Sequence, residues 1–132
     1  MYSNKIIDCV MSPKNAGMIK NAEGVGSVSN EKCGEIVRIY LQINDEIIKN
    51  AKYKVLGSPE MICLCENAIN LMLEKSVDEV SKISKQDILD TCKDIISDEK
   101  RYQASLIESA IKLAISKYNK SKLKNKKENK SK

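Results

Sequence analysis

Between Ile36 and Val55 the chain alternates apolar and polar residues in two runs, with Asn44-Asp45 lying between them. In the first run Val37, Ile39, Leu41 and Ile43 share one side, opposite Arg38 and Gln42; in the second, Ala51, Tyr53 and Val55 alternate with Lys52 and Lys54. A period of two sends successive side chains to opposite faces, so each run reads as a strand with one buried face. The intervening turn joins the two into an antiparallel hairpin.

The rest of the chain carries helical signals. Ser3 is placed to cap a short helix bearing Ile6, Ile7 and Val10, which Pro13 stops, and a loop with Gly24 and Gly26 follows. After the hairpin, Ser58 reads as an N-cap with Pro59 at the first helical position. Ser76-Val77-Asp78-Glu79 and Ser84-Lys85-Gln86-Asp87 are box-like helix starts. Met61, Leu64, Cys65, Ala68, Ile69 and Met72 form one apolar stripe at helical spacing, and Ile107, Ala110, Ile111, Ala114 and Tyr118 form another. The expected fold class is α+β, a small antiparallel β-sheet with helices packed on one face.

With 132 residues, 42% of them apolar, the chain supports one core and is too short for two ordinary domains. It has no run of about 18 apolar residues, and its first residues show neither a basic leader nor a small-residue cleavage pattern, so a soluble, cytoplasmic protein is expected. Residues 120–132 hold seven lysines and one glutamate, giving the tail +6 of the formal +5 and leaving residues 1–119 at −1. The expected organisation is a domain over 1–119 and a disordered basic tail over 120–132, because such a segment has too little apolar surface to offset its ordering entropy. The tail suits either simple solvation or an electrostatic contact with an acidic partner; without Arg or aromatic residues it lacks the means for base readout, and nucleic acid is not expected as a partner.

The absence of histidine excludes Cys-His and Ser-His-Asp catalysis. Gly24-Val25-Gly26 is too short for a dinucleotide fingerprint, so an enzyme in its own right is not expected. Chemistry rests on the five cysteines, an odd number set in apolar segments, which points to reduced thiols rather than a disulfide framework.

Several segments, in order and spacing, carry a resemblance: Tyr2-Ser3-Asn4-Lys5-Ile6-Ile7-Asp8, Pro13-Lys14-Asn15-Ala16-Gly17, Gly24-Val25-Gly26, Cys33-Gly34-Glu35 and Ala110-Ile111-Lys112-Leu113-Ala114-Ile115. From Tyr2 to about Tyr118 the chain resembles the IscU/NifU N-terminal family of iron-sulfur cluster assembly scaffolds, within the SufE/NifU superfamily. That resemblance implies a protein that receives sulfur from a cysteine desulfurase, builds an iron-sulfur cluster on three cysteines, and passes it to client proteins. An aspartate two residues after the first cysteine and, in many members, a histidine before the third assist. Thiolates suit these clusters as soft ligands.

Carried onto this chain, Cys33 matches the first cysteine and Glu35 stands for the aspartate, one methylene longer. The second cysteine position is Ser58, a neutral hydroxyl; the histidine position is Tyr102; the third cysteine position is Gln103, a neutral amide. The segment that precedes the third cysteine and is read by a chaperone in many members aligns with Ile96-Ser97-Asp98-Glu99-Lys100, which lacks its prolines.

Cys65 belongs to the apolar stripe, and Cys9 and Cys92 read as structural. Cys63 falls nearly opposite the stripe with Asn67, Asn70 and Glu74, which marks it as a surface thiol and a candidate replacement ligand. The expected metal site is therefore Cys33, Glu35 and Cys63, with Ser58, Tyr102 and Gln103 as replaced ligand positions and iron or an iron-sulfur cluster as cargo. Three readings follow: a scaffold or scaffold accessory; a paralogue that docks on the desulfurase or on a true scaffold without holding iron; and a cluster bridged between two subunits through Cys33 and Cys63.

Overall fold

The hairpin forms where the alternation places it, as β2 (Glu35–Asn44) and β3 (Ile47–Leu56), in a computed structural model that describes residues 2–92 and 95–130. Asp45 and Glu46 both take left-handed backbone angles, φ 52° and 62°, which is the turn geometry that matches the twist of a two-residue hairpin. Along β2, Val37, Ile39, Leu41 and Ile43 are buried on one face, while Ile36, Arg38 and Gln42 are exposed on the other, where Tyr40 is covered.

A third strand joins them. β1 (Gly24–Asn30) pairs antiparallel with β2 and completes a sheet of order β1-β2-β3. Its first residues are the Gly24-Val25-Gly26 stretch expected to be a loop. The long final helix explains the difference: α5 (Tyr102–Lys130) crosses β1 so closely that a Cβ on Gly26 would lie 2.1 Å from the Ala110 carbonyl oxygen. One on Gly24 would lie 2.5 Å from that of Ala114. Glycine serves here as the residue that lets a helix backbone approach a strand.

The helix starts fall at the expected caps. α1 (Asn4–Met11), α2 (Pro59–Met72), α3 (Val77–Ser81) and α4 (Lys85–Asp90) begin after Ser3, Ser58, Ser76 and Ser84, each of whose hydroxyls accepts a first-turn backbone N–H. Ser76 with Glu79 and Ser84 with Asp87 form complete reciprocal capping boxes. The two expected stripes, on α2 and α5, both join the core against the sheet.

Helix α2 is buried more widely than its stripe, because α1 and the end of α4 pack on its other side. The buried Glu66 of α2 accepts the backbone N–H groups of Lys14 at 3.1 Å and Asn15 at 3.0 Å. The same segment bonds to β3 through Gly17 N–H to the Tyr53 carbonyl (2.9 Å), so Pro13–Gly17 ties α1 to both layers.

The expected boundary after residue 119 falls inside α5, which runs on to Lys130. Extending an existing helix needs no new nucleus, and lysine and glutamate are good helix formers. Lys122 Nζ reaches Glu46 Oε1 at 2.6 Å, so the first turn past the boundary contacts the hairpin. Among the described residues no helix is long and apolar enough to cross a membrane.

Candidate functional site

Three chain segments meet at one end of the sheet: the β1–β2 turn with Cys33, the start of α2 with Ser58, and the start of α5 with Tyr102 and Gln103. Asn30 accepts the Cys33 N–H at 3.2 Å, and Gly34 turns the chain with φ 66°, a left-handed conformation suited to glycine. The turn leaves the Cys33 thiol exposed and delivers Glu35 into the interior as the first residue of β2.

Glu35 is 5% exposed and both carboxylate oxygens are engaged. Tyr102 donates its hydroxyl to Oε1 at 2.6 Å, and the Gln103 amide donates to Oε2 at 2.7 Å. The same Gln103 nitrogen lies 2.9 Å from Ser58 Oγ, which also accepts the Met61 N–H as the cap of α2. The Tyr102 hydroxyl lies 3.8 Å from Cys33 Sγ. A carboxylate removed from water is costly unless hydrogen-bonded, and these two donors meet that need. Accepting its proton, the Glu35 carboxylate is the first cause that raises the Tyr102 phenol above its ordinary range; burial and the Cys33 thiol add to it.

Five of the six expected site residues therefore come together: Cys33, Glu35, Ser58, Tyr102 and Gln103. Cys63 does not share their hydrogen bonds. It is fully buried, which corrects the expectation of a surface thiol, and its sulfur lies 3.0 Å from that of Cys9 and 3.9 Å from that of Cys92. Helix α1 packs on the side of α2 opposite the stripe and brings Cys9 against Cys63, a neighbour that helical spacing alone does not reveal. Sequence reasoning also missed that Tyr102 and Gln103 would bond to Glu35 and that Gln103 would bond to Ser58. The available signal was chemical: two adjacent donors, Tyr102 and Gln103, replace ligands of a site that keeps an acid at Glu35.

As a donor set the corner offers one thiol, one carboxylate already bonded, a phenol, an amide and a hydroxyl. Among the described residues no group of three or more Cys, His, Asp or Glu is arranged to hold a metal ion. The corner thus presents one accessible nucleophile over a hydrogen-bond network that engages both oxygens of Glu35. One buried acceptor, Gln103 Oε1, has no partner among the described residues.

Comparison with known proteins gives this corner its context. The chain is 32% identical over 121 residues to the iron-sulfur cluster assembly scaffold protein IscU of Escherichia coli K12, spanning 89% of this chain and 93% of that protein. It is 30% identical over 118 residues to the scaffold protein IscU 1 of Archaeoglobus fulgidus, spanning 89% of this chain and 76% of that one. Among solved structures, the N-terminal part of a nitrogen-fixing NifU-like protein from Brucella abortus superposes with a TM-score of 0.68 at 11% identity, covering 89% of this chain and 94% of that one. A protein from Fervidobacterium islandicum assigned as a cluster assembly scaffold for the SUF system superposes with a TM-score of 0.71 at 19% identity, covering 86% and 96%. These two establish the shared fold. The family model for the NifU-like N terminal domain matches residues 1–125, and with it the chain belongs to the NifU-like N terminal domain family.

Proposed function

We propose that this protein works in iron-sulfur cluster assembly as a scaffold-like carrier, with Cys33 as the residue that receives sulfur. The observation that carries the reading is the placement of Cys33: the exposed thiol of the chain stands at the mouth of the corner where the carried-over ligand positions converge. Its close relatives in sequence are named as scaffolds of that process. A cysteine desulfurase is the sulfur donor, iron-sulfur proteins are the recipients, and the cytoplasm is the setting.

The transfer step balances without an added oxidant. The Cys33 thiolate attacks the outer sulfur of a persulfide on the donor; a new S–S bond forms at Cys33, the donor's S–S bond breaks, and the donor cysteine leaves as a thiolate. Iron is cargo here rather than a resident group. Cys33 and Glu35 are the residues that could contact it, and Glu35 would first have to release Tyr102 or Gln103. A cluster normally takes four protein ligands, so a partner protein has to supply the rest.

The hydrogen-bond network around Glu35 favours a second reading, a module that docks on the desulfurase or on a complete scaffold and holds no iron. One experiment separates them. The protein and its Cys33→Ser form are incubated anaerobically with iron, cysteine and a cysteine desulfurase, repurified, and analysed for persulfide, iron and acid-labile sulfide. Sulfur on the parent that is lost in Cys33→Ser supports the carrier; equal loading of both forms refutes the role of Cys33, and loading of neither leaves the docking module.

A further inference from the structure

A second set of thiols lies behind the corner. Cys9 of α1, Cys63 of α2 and Cys92, just past α4, bring their sulfurs together, 3.0 Å from Cys9 to Cys63 and 3.9 Å from Cys63 to Cys92. Asn67 aims its amide nitrogen at the Cys92 sulfur from 2.8 Å, and Thr91 Oγ1 lies 3.5 Å away. Lys5 holds the Thr91 carbonyl at 2.9 Å, which keeps an ammonium group near the same sulfur. Cys65, two residues further along α2, is fully buried and makes none of these sulfur contacts.

The surroundings divide the three thiols by role. Cys92 receives hydrogen bonds and faces a cation, which favours the thiolate. The Cys63 thiol is the first cause that lowers Cys92, with Thr91, Asn67 and Lys5 adding to it against burial. Cys63 is pushed the other way, first by its contact with Cys92, then by burial and by Cys9. A thiolate is the form that attacks peroxide, and a protonated neighbour within about 4 Å is placed to resolve the product. Cys63 and Cys92 are both nearly solvent-free, so a small oxidant suits the site and a bulky disulfide does not.

We propose that Cys63 and Cys92 form a reversible thiol switch for hydrogen peroxide, with Cys9, against Cys63, as a third thiol able to exchange into the bond. Cys92 sulfur attacks one peroxide oxygen; the S–O bond forms, the O–O bond breaks, and the departing hydroxide takes a proton to become water. Cys63 sulfur then displaces hydroxide from the Cys92 sulfenic acid, and that hydroxide leaves as a second water with the Cys63 proton. Two thiols lose two electrons and one peroxide gains them. Exchange by Cys9 would move the bridge to Cys9–Cys63 without further oxidation.

The test uses the full chain in a Cys33→Ser background, which removes the exposed thiol, at pH 7 with a small excess of hydrogen peroxide. Intact mass should fall by the two hydrogens of one disulfide, the bridge should contain Cys63 on peptide mapping, and a reducing thiol should reverse it. Cys92→Ala should slow bridge formation at least tenfold, since an ordinary thiol is only a few per cent ionised at pH 7. Cys65→Ala should leave the rate within twofold. Glutathione disulfide should not form the bridge. No mass loss, a bridge that omits Cys63, or an unchanged rate in a folded Cys92→Ala protein overturns the proposal. Because the parent background alone can fail the test, misfolding of a variant cannot rescue it.

Discussion

Replacing Gln103 by Glu keeps the side chain's size and exchanges its amide donor for an acid at the one place where the corner depends on donation. Gln103 is fully buried, and its nitrogen lies 2.7 Å from Glu35 Oε2, which is 5% exposed. Two ionised carboxylates at that spacing would repel by about 6 kcal/mol at an effective dielectric constant of about 20. Keeping one proton on the pair is cheaper. For an introduced glutamate of ordinary pKa about 4.3, holding that proton at pH 7 costs about 3.7 kcal/mol, at about 1.4 kcal/mol per pH unit. The held proton also bridges the two groups as a short charge-assisted hydrogen bond.

Gln103→Glu should therefore lower stability by about 4 kcal/mol at pH 7 and by only about 1 kcal/mol at pH 5. The sign follows from linkage. Above pH about 4.3 the folded variant binds one proton more than its unfolded chain, so its stability relative to the parent falls as pH rises. Urea unfolding followed by circular dichroism at pH 5, 6 and 7, parent beside variant, reads the slope directly. A difference that does not change with pH, or one below about 1 kcal/mol at pH 7, would refute the Glu35–Gln103 contact and the energetics built on it. The swap that adds Glu35→Gln to Gln103→Glu restores one donor and one acceptor with their positions exchanged, and should recover most of the loss.

Gly26→Ala should destabilise the protein by about 3 kcal/mol, at the upper end for overpacking, because the new methyl meets the Ala110 carbonyl and the Ala114 nitrogen rather than a movable side chain. A melting temperature within 2–3 °C of the parent would contradict the close crossing of α5 over β1, on a scale where about 1 kcal/mol moves a domain this size by several degrees. Burial, then the Glu46 carboxylate that accepts its hydroxyl, pushes the Tyr118 phenol from 10.0 up to about 12. A raised folded pKa means that stability is fully present below pH 10 and drains away as pH climbs from 10 through 12. Tyr118→Phe should flatten that alkaline loss, as thermal melts from about pH 9 upward would record, and an unchanged alkaline slope would count against the contact.

The buried face of the hairpin was legible because period-two alternation states it residue by residue, and the helix starts because Ser3, Ser58, Ser76 and Ser84 carry cap chemistry within three residues of sequence. What hid was whatever depended on a partner distant in the chain. β1 opens with glycines, whose purpose shows only when Ala110 and Ala114 of α5 lie against them. The Cys63 side of α2 looked exposed because a helical wheel carries no information about how many neighbours a helix will have. Cys9 and Cys92 lie 54 and 29 residues from Cys63, and nothing in their local sequence joins them.

The corner itself shows the same limit in chemical form. Taken one at a time, Ser58, Tyr102 and Gln103 are losses, since a hydroxyl, a phenol and an amide are poor substitutes for soft ligands. Taken together with Glu35 they are a matched set. A carboxylate 5% exposed requires donors; Tyr102 and Gln103 supply one to each oxygen, and Ser58 orients the second of them. Apolar residues at 102 and 103 would leave the Glu35 charge buried and unpaired, at a cost of several kcal/mol. The replaced positions and the retained acid thus depend on one another, while Cys33, outside that network save for the long contact from Tyr102, is left exposed and free to react. That separation, a hydrogen-bonded polar base beneath one open thiol, is the physical ground for assigning Cys33 a role in carrying sulfur rather than in enclosing metal.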